Sequence, residues 1–139
     1  MHTKTALGLV ATIGIFAASG SPAQVGTKDH PPSSNQVLMR DKLSFANKAL
    51  EGLAVQDFDK IAESGKMMRM ISRAASWHVI DSDEYQRMSK NFQEQAADLE
   101  RHAKEKNLDA AALDYVRISL TCVQCHKYMR VSRPGQEKR

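Results

Sequence analysis

Apolar residues recur every three to four positions along most of the chain after residue 34, which is the helical period. Between 35 and 53, Met39, Leu43, Ala46, Leu50 and Leu53 step by four and three and form an a/d stripe. Ser33 and Gln36 stand ahead of it at capping-box spacing, and Gly52 weakens its end. A second helix is predicted over 57–77, capped by Asp57, with Phe58, Ile61, Gly65, Met68 and Ala75 along one face. Asp81 and Glu84 mark the start of a third, whose stripe is Tyr85, Met88, Phe92, Ala96, Leu99 and Ala103. Lys104 and Lys106 suit its C-terminal dipole. Asn107 and Asp109 end it and start a fourth, which carries Leu113, Val116, Leu120 and Val123 and is limited by Pro134-Gly135. Short connections favour antiparallel neighbours, so the expected fold is all-α, an antiparallel four-helix bundle over 35–133.

The segments outside this pattern have their own meaning. Residues 24–34 hold Gly26, Pro31, Pro32, Ser33 and Ser34 and read as a linker, and 134–139 as a tail. Residues 1–23 have the form of a secretory signal peptide: Lys4, an apolar run from Ala6 to Ala18, and small residues at Ser21 and Ala23 for cleavage after Ala23. The run is too short to span a bilayer comfortably, so no stable membrane span is expected after cleavage. An uncleaved N-terminal anchor is the alternative. About 116 of the 139 residues then remain, the size of one domain.

The net charge of +4 becomes +3 without Lys4, and basic residues are interleaved with acidic ones. That balance does not suggest a nucleic-acid partner. Only the C-terminus departs from it: Lys127, Arg130, Arg133, Lys138 and Arg139 face Glu137 alone. Such a cluster suits docking of an anionic partner, although an ordinary solvated terminus is the simpler account.

One segment carries chemistry. Cys122-Val123-Gln124-Cys125-His126 has the C-x-x-C-H pattern of covalent c-type haem attachment, and these are the chain's two cysteines. On a helix, residues three and four apart share a face, with Cβ atoms about 5–6 Å apart. Both thiols then reach one porphyrin edge, and His126 can place a ring nitrogen under the iron. The other uses of such a pair fit poorly. A redox dithiol expects a βαβ setting, a zinc site a second cysteine pair, and an i,i+3 disulfide a geometry that a helix does not supply. Haem attachment of this kind takes place outside a bacterial cytoplasmic membrane. The export signal and the motif therefore agree on a periplasmic location.

With these features the chain resembles the class II cytochromes c, cytochrome c′ and its low-spin relatives. The segment from Cys122 to Arg130 is similar to the family's C-x-x-C-H followed by an aromatic (Tyr128) and an arginine (Arg130). Class I cytochromes c carry the motif early instead. The resemblance implies one covalent haem c, with Cys122, Cys125 and His126 attached to it. It also implies a distal residue early in helix one, here Met39, with Leu43 one turn on as the alternative occupant. Asn35 stands where the family often has an arginine. Methionine opposite His126 would make an electron carrier serving a redox partner protein. An apolar residue there would leave a five-coordinate site for nitric oxide or carbon monoxide. Neither is an enzyme, and no distal His and Arg pair for peroxidase chemistry is evident. The family also implies a possible homodimer.

Other candidates have simpler roles. Met67, Met68 and Met70 point in different directions on a helix and read as core and surface. His78 and His102 sit near helix ends and read as solvent-facing. Lys42 would have to lose its proton to bind iron. Arg130 and Arg40 suit haem propionates through the bidentate fork. Trp77 and Tyr128 read as packing residues near the haem end.

Overall fold

The computed structural model describes residues 33–75 and 81–132. The expected signal peptide, most of the linker, the tail, Trp77 and His78 lie outside the described residues. What is described is all-helical: α1 (Ser34–Val55), α2 (Phe58–Ala75), α3 (Asp83–Lys104) and α4 (Leu108–Val131). None of these helices is long and apolar enough to cross a membrane.

Local chemistry sets each boundary. The capping box forms: Gln36 N–H donates to Ser33 Oγ at 3.3 Å and Ser33 N–H to Gln36 Oε1 at 2.8 Å. α1 ends at Gln56, held in the left-handed region with φ 58°. Asp57 then caps α2, accepting from Lys60 N–H at 3.0 Å. α3 starts one residue later than its acidic signal suggests. Ser82 is the cap and accepts from Tyr85 N–H at 3.1 Å, which leaves Asp83 and Glu84 in the first turn, where the helix dipole favours them. Asn107 caps α4 by accepting from Ala110 N–H at 3.1 Å.

Consecutive helices are antiparallel. Lys60 reaches back to Glu51 across α1 and α2. Arg69 pairs with Glu100, and Ser72 with Ser89, across α2 and α3. Ser82 meets Tyr128, Gln95 meets Thr121 and His102 meets Asp114 across α3 and α4. The core is Ile61 and Met68 from α2, Phe92, Ala96, Leu99 and Ala103 from α3, Ala49 from α1, and Ala111 and Ile118 from α4. The stripe expected on α3 is therefore buried, with Met88 half-buried at its edge.

Two helices are rotated from the expected orientation. On α1, Leu43 and Leu50 are exposed, while Ala49 and Gly52 are buried and Phe45, Ala46 and Leu53 pack beside them. On α4, Leu113, Val116, Leu120 and Val123 are all exposed, and Ala111, Asp114, Ile118 and Thr121 face inward. Both helices carry apolar residues on two sides, so periodicity alone does not select the inner one. Small residues and paired polar groups select it. Asp114 and Thr121 hydrogen-bond to α3, and turning α4 by half a turn would strand them.

Small residues also set the closeness of the helices. A Cβ on Gly65 would lie 2.8 Å from the Ala96 carbonyl oxygen and 2.9 Å from the Glu100 amide nitrogen. Both are backbone atoms, so the helices themselves would have to part. Gly65→Ala should lower stability by about 1–3 kcal/mol in denaturant titration, despite alanine's better helix propensity. An unchanged or raised midpoint would contradict this packing.

Candidate functional site

The cysteines lie near the end of α4. Cys122 and Cys125 are free and half-buried, with Cys122 packed on the core, and His126 is exposed. At 3.6 residues per turn, Tyr115, Ser119, Cys122, His126 and Met129 form one flank of α4. The other flank, with Asp114, Thr121 and Tyr128, is the one hydrogen-bonded to α3. On α1 the corresponding flank is Met39, Leu43, Ala46 and Leu50, since the opposite side meets α2 through Gly52 and Ile61. The two flanks therefore face each other across a seam.

Of the neighbouring helix pairs, α1 and α4 pack least. Leu43 is 61% exposed and Leu50 51% exposed on α1. Three antiparallel steps leave α1 antiparallel to α4, so the start of α1 and the end of α4 share one end of the bundle. Met39 sits there, half-buried, on the same flank as Leu43. The stripe expected on α1 is thus divided: Ala46 and Leu53 pack against the core, Met39 is half-buried, and Leu43 and Leu50 are exposed.

Lys42 lies closer to the cysteines than its sequence role suggested. It is half-buried on α1, with Nζ 4.5 Å from the centre of the Phe92 ring. Burial lowers its pKa, and the two thiols beside it act in the opposite direction when ionised. Burial also pushes both cysteine pKa values up, and the Lys42 charge offsets only part of that. Tyr85 completes the group: burial raises its pKa, and Cys125 adds to the effect. A redox-active dithiol needs a thiolate favoured by its surroundings. These thiols are held protonated instead. Among the described residues no three His, Cys, Asp or Glu side chains come together to hold a metal ion.

Asn35 is a second group whose importance sequence reasoning missed. Its Oδ1 is buried and has no hydrogen-bond partner among the described residues. It lies one turn before Met39, at the seam's end. An unmet buried carbonyl costs on the order of 1–3 kcal/mol, which suits a further polar group at this place. Cys122 and His126 on one flank, Cys125 a step round the helix beside Tyr85, half-buried Met39 on α1 and this unmet polar atom would suit a flat, partly polar group.

Other candidates fall elsewhere. Arg130 and Arg40 are exposed and make no ion pair among the described residues. His102 is not solvent-facing as expected: Nδ1 lies 2.5 Å from the buried Asp114 Oδ2. Tyr128 does more than pack, because its hydroxyl lies 3.0 Å from Ser82 Oγ and ties the end of α4 to the cap of α3. Met68 is buried, Met67 half-buried and Met70 exposed, as helical spacing implied. A surface cavity of about 420 Å³ lies remote from the cysteines, against α2 and α3, lined by Arg69, Glu100, Arg101, Lys104 and Glu105, which are paired with one another. Comparison with protein-family models, curated proteins and solved structures finds no match to this chain.

The lowered pKa of Lys42 has a testable sign. The unfolded chain holds this proton up to the usual 10.5, and the folded chain releases it earlier. Stability therefore rises with pH between the lowered value and 10.5. In a haem-free chain with both cysteines replaced by alanine, Lys42→Met should gain on the order of 1 kcal/mol at neutral pH by removing a buried charge. That advantage should shrink as pH climbs through the window. An advantage flat with pH would show that burial does not perturb Lys42.

Proposed function

We propose that the chain is an exported, periplasmic c-type cytochrome of the class II kind. One haem c is attached through Cys122 and Cys125, with His126 as proximal and Met39 as distal iron ligand. The observation that supports this is the setting of the motif: Cys122 and His126 lie on the flank of α4 away from α3, Lys42 of α1 lies beside both thiols, and Met39 stands half-buried one turn before it, across the least-packed helix pair. The bound group would supply a one-electron iron couple, and thioether ligation favours the reduced state. The chain's own residues would orient the imidazole, keep the thiols neutral before attachment, and shield one haem face with Met39, Phe92 and Tyr85. Arg130, exposed one turn after His126, suits a propionate. A redox protein would be the partner, and the function is electron transfer, not catalysis.

A second reading has its own support. Leu43 lies on the same flank as Met39, and if it stands over the iron the site is five-coordinate and binds nitric oxide or carbon monoxide. One variant separates the two. The ferric wild type should be low-spin, with a weak sulfur-to-iron band in the near infrared. Met39→Ala should turn it high-spin and open it to carbon monoxide, at a stability cost of a few kcal/mol at most. Met67→Ala and Met88→Ala should leave the spectrum unchanged. A wild type that is already high-spin and takes up carbon monoxide makes Met39 packing only and the protein a gas binder.

A further inference from the structure

Lys42 is a half-buried cation to which the ligand set gives no task. It lies on the inner face of α1 between Leu38, Phe45 and Ala49, at four- and three-residue steps. A lysine so placed ordinarily runs its stem along apolar surface and keeps the ammonium in water. Lys42 points inward instead. Its Nζ stands over the ring of Phe92 on α3, 4.5 Å from the ring centre, and Phe92 is itself buried. No carboxylate pairs with this ammonium among the described residues. The ionisable groups beside it are the thiols of Cys122 and Cys125. A ring face attracts a cation but offsets only part of the cost of taking a charge out of water. Methionine or leucine would fill the same space without that cost. Packing therefore does not account for a lysine here.

We propose that Lys42 sets the midpoint potential of the haem iron: its unpaired positive charge, held beside the two attachment cysteines, stabilises the ferrous over the ferric state. This rests on the haem reading and adds a determinant of potential to the Met39 thioether. Thioether formation leaves both sulfurs uncharged, so neither can neutralise the ammonium afterwards. Reduction takes one electron from the redox partner and lowers the positive charge at the iron by one. A neighbouring cation favours that change, and it acts more strongly in a partly buried setting than through water. Lys48 supplies the contrast. It lies on the same helix with Nζ 4.7 Å from the centre of the Phe45 ring, but it is exposed, so water screens its charge. A ring contact is thus common to both lysines, and burial beside the cysteines belongs to Lys42.

Spectroelectrochemical titration of the exported holoprotein at neutral pH tests this, with haem attachment and spin state read from the same samples. Lys42→Met keeps the length of the stem and removes the charge. It should retain the covalent haem and the wild-type spin state. At a fixed potential it should shift the ratio of oxidised to reduced protein about tenfold toward the ferric form, a fall of about 59 mV for a one-electron couple. Lys42→Arg keeps the charge and should restore a midpoint close to that of the wild type. Lys48→Met should leave the midpoint nearly unchanged. A Lys42→Met protein that holds its haem at the wild-type midpoint overturns the proposal and leaves the haem reading standing. An equal fall in Lys48→Met also overturns it, since net charge alone would then be responsible. So does a change of spin state in Lys42→Met, which would make Lys42 part of the iron's ligand set or of its packing. A wild type without covalent haem overturns the haem reading and the proposal with it.

Discussion

Three hydrogen-bonded pairs between α3 and α4 decide what the rest of the molecule presents. His102 with Asp114, Gln95 with Thr121 and Ser82 with Tyr128 lie along one flank of α4 and fix its rotation. Asp114 is buried, so losing its partner would leave a carboxylate without compensation inside the bundle. With this flank committed to α3, Cys122 and His126 fall on the flank toward α1. The apolar residues from Leu113 to Val123 fall outside. The candidate site and the exposed apolar face of α4 thus follow from one constraint, and neither needs its own adjustment of the backbone.

The loose closure between α1 and α4 is the second consequence. α2 and α3 approach closely through Gly65, and α3 and α4 through their polar pairs. α1 is held by α2 instead and leaves its Leu43 and Leu50 side partly uncovered. A bundle with one under-packed seam lacks apolar burial that a flat hydrophobic group would supply, at about 25 cal/mol per Å² covered. Lys42 would add a positive charge beside such a group. Next to an iron couple, that charge would favour the reduced form, since reduction removes positive charge from the metal.

How much of this was legible in the sequence follows from the kind of signal each element carries. Caps and turn residues act locally, so Ser33, Asp57 and the four-helix succession could be read directly. The α3 stripe was also legible, because that helix is apolar on one side only. α1 and α4 misled, since Leu and Val dominate a hydropathy pattern while Ala49, Gly52, Asp114 and Thr121 decide the packing. Their inward orientation depends on partners more than ten residues away, which periodicity does not see. The same limit hid the His102–Asp114 pair. Lys42 could have been noticed from its place between Leu38, Phe45 and Ala49, at three- and four-residue steps on the inner face. The C-x-x-C-H residues needed no tertiary information to be singled out, because their chemistry is written in the spacing. That Cys122 and His126 fall on the flank away from α3 needed the rotation of α4.

The central claim is that Cys122 and Cys125 become thioethers to a haem. The most direct measurement is the intact mass of the exported chain, taken after unfolding in acid and organic solvent and compared with the Cys122→Ala/Cys125→Ala variant. The account predicts that the native chain exceeds its cleaved polypeptide mass by one haem, carries no free thiol and keeps its visible absorbance when unfolded, and that the variant shows none of these. A native chain exported alongside a working haem-attachment system that shows two free thiols and the bare polypeptide mass would contradict it.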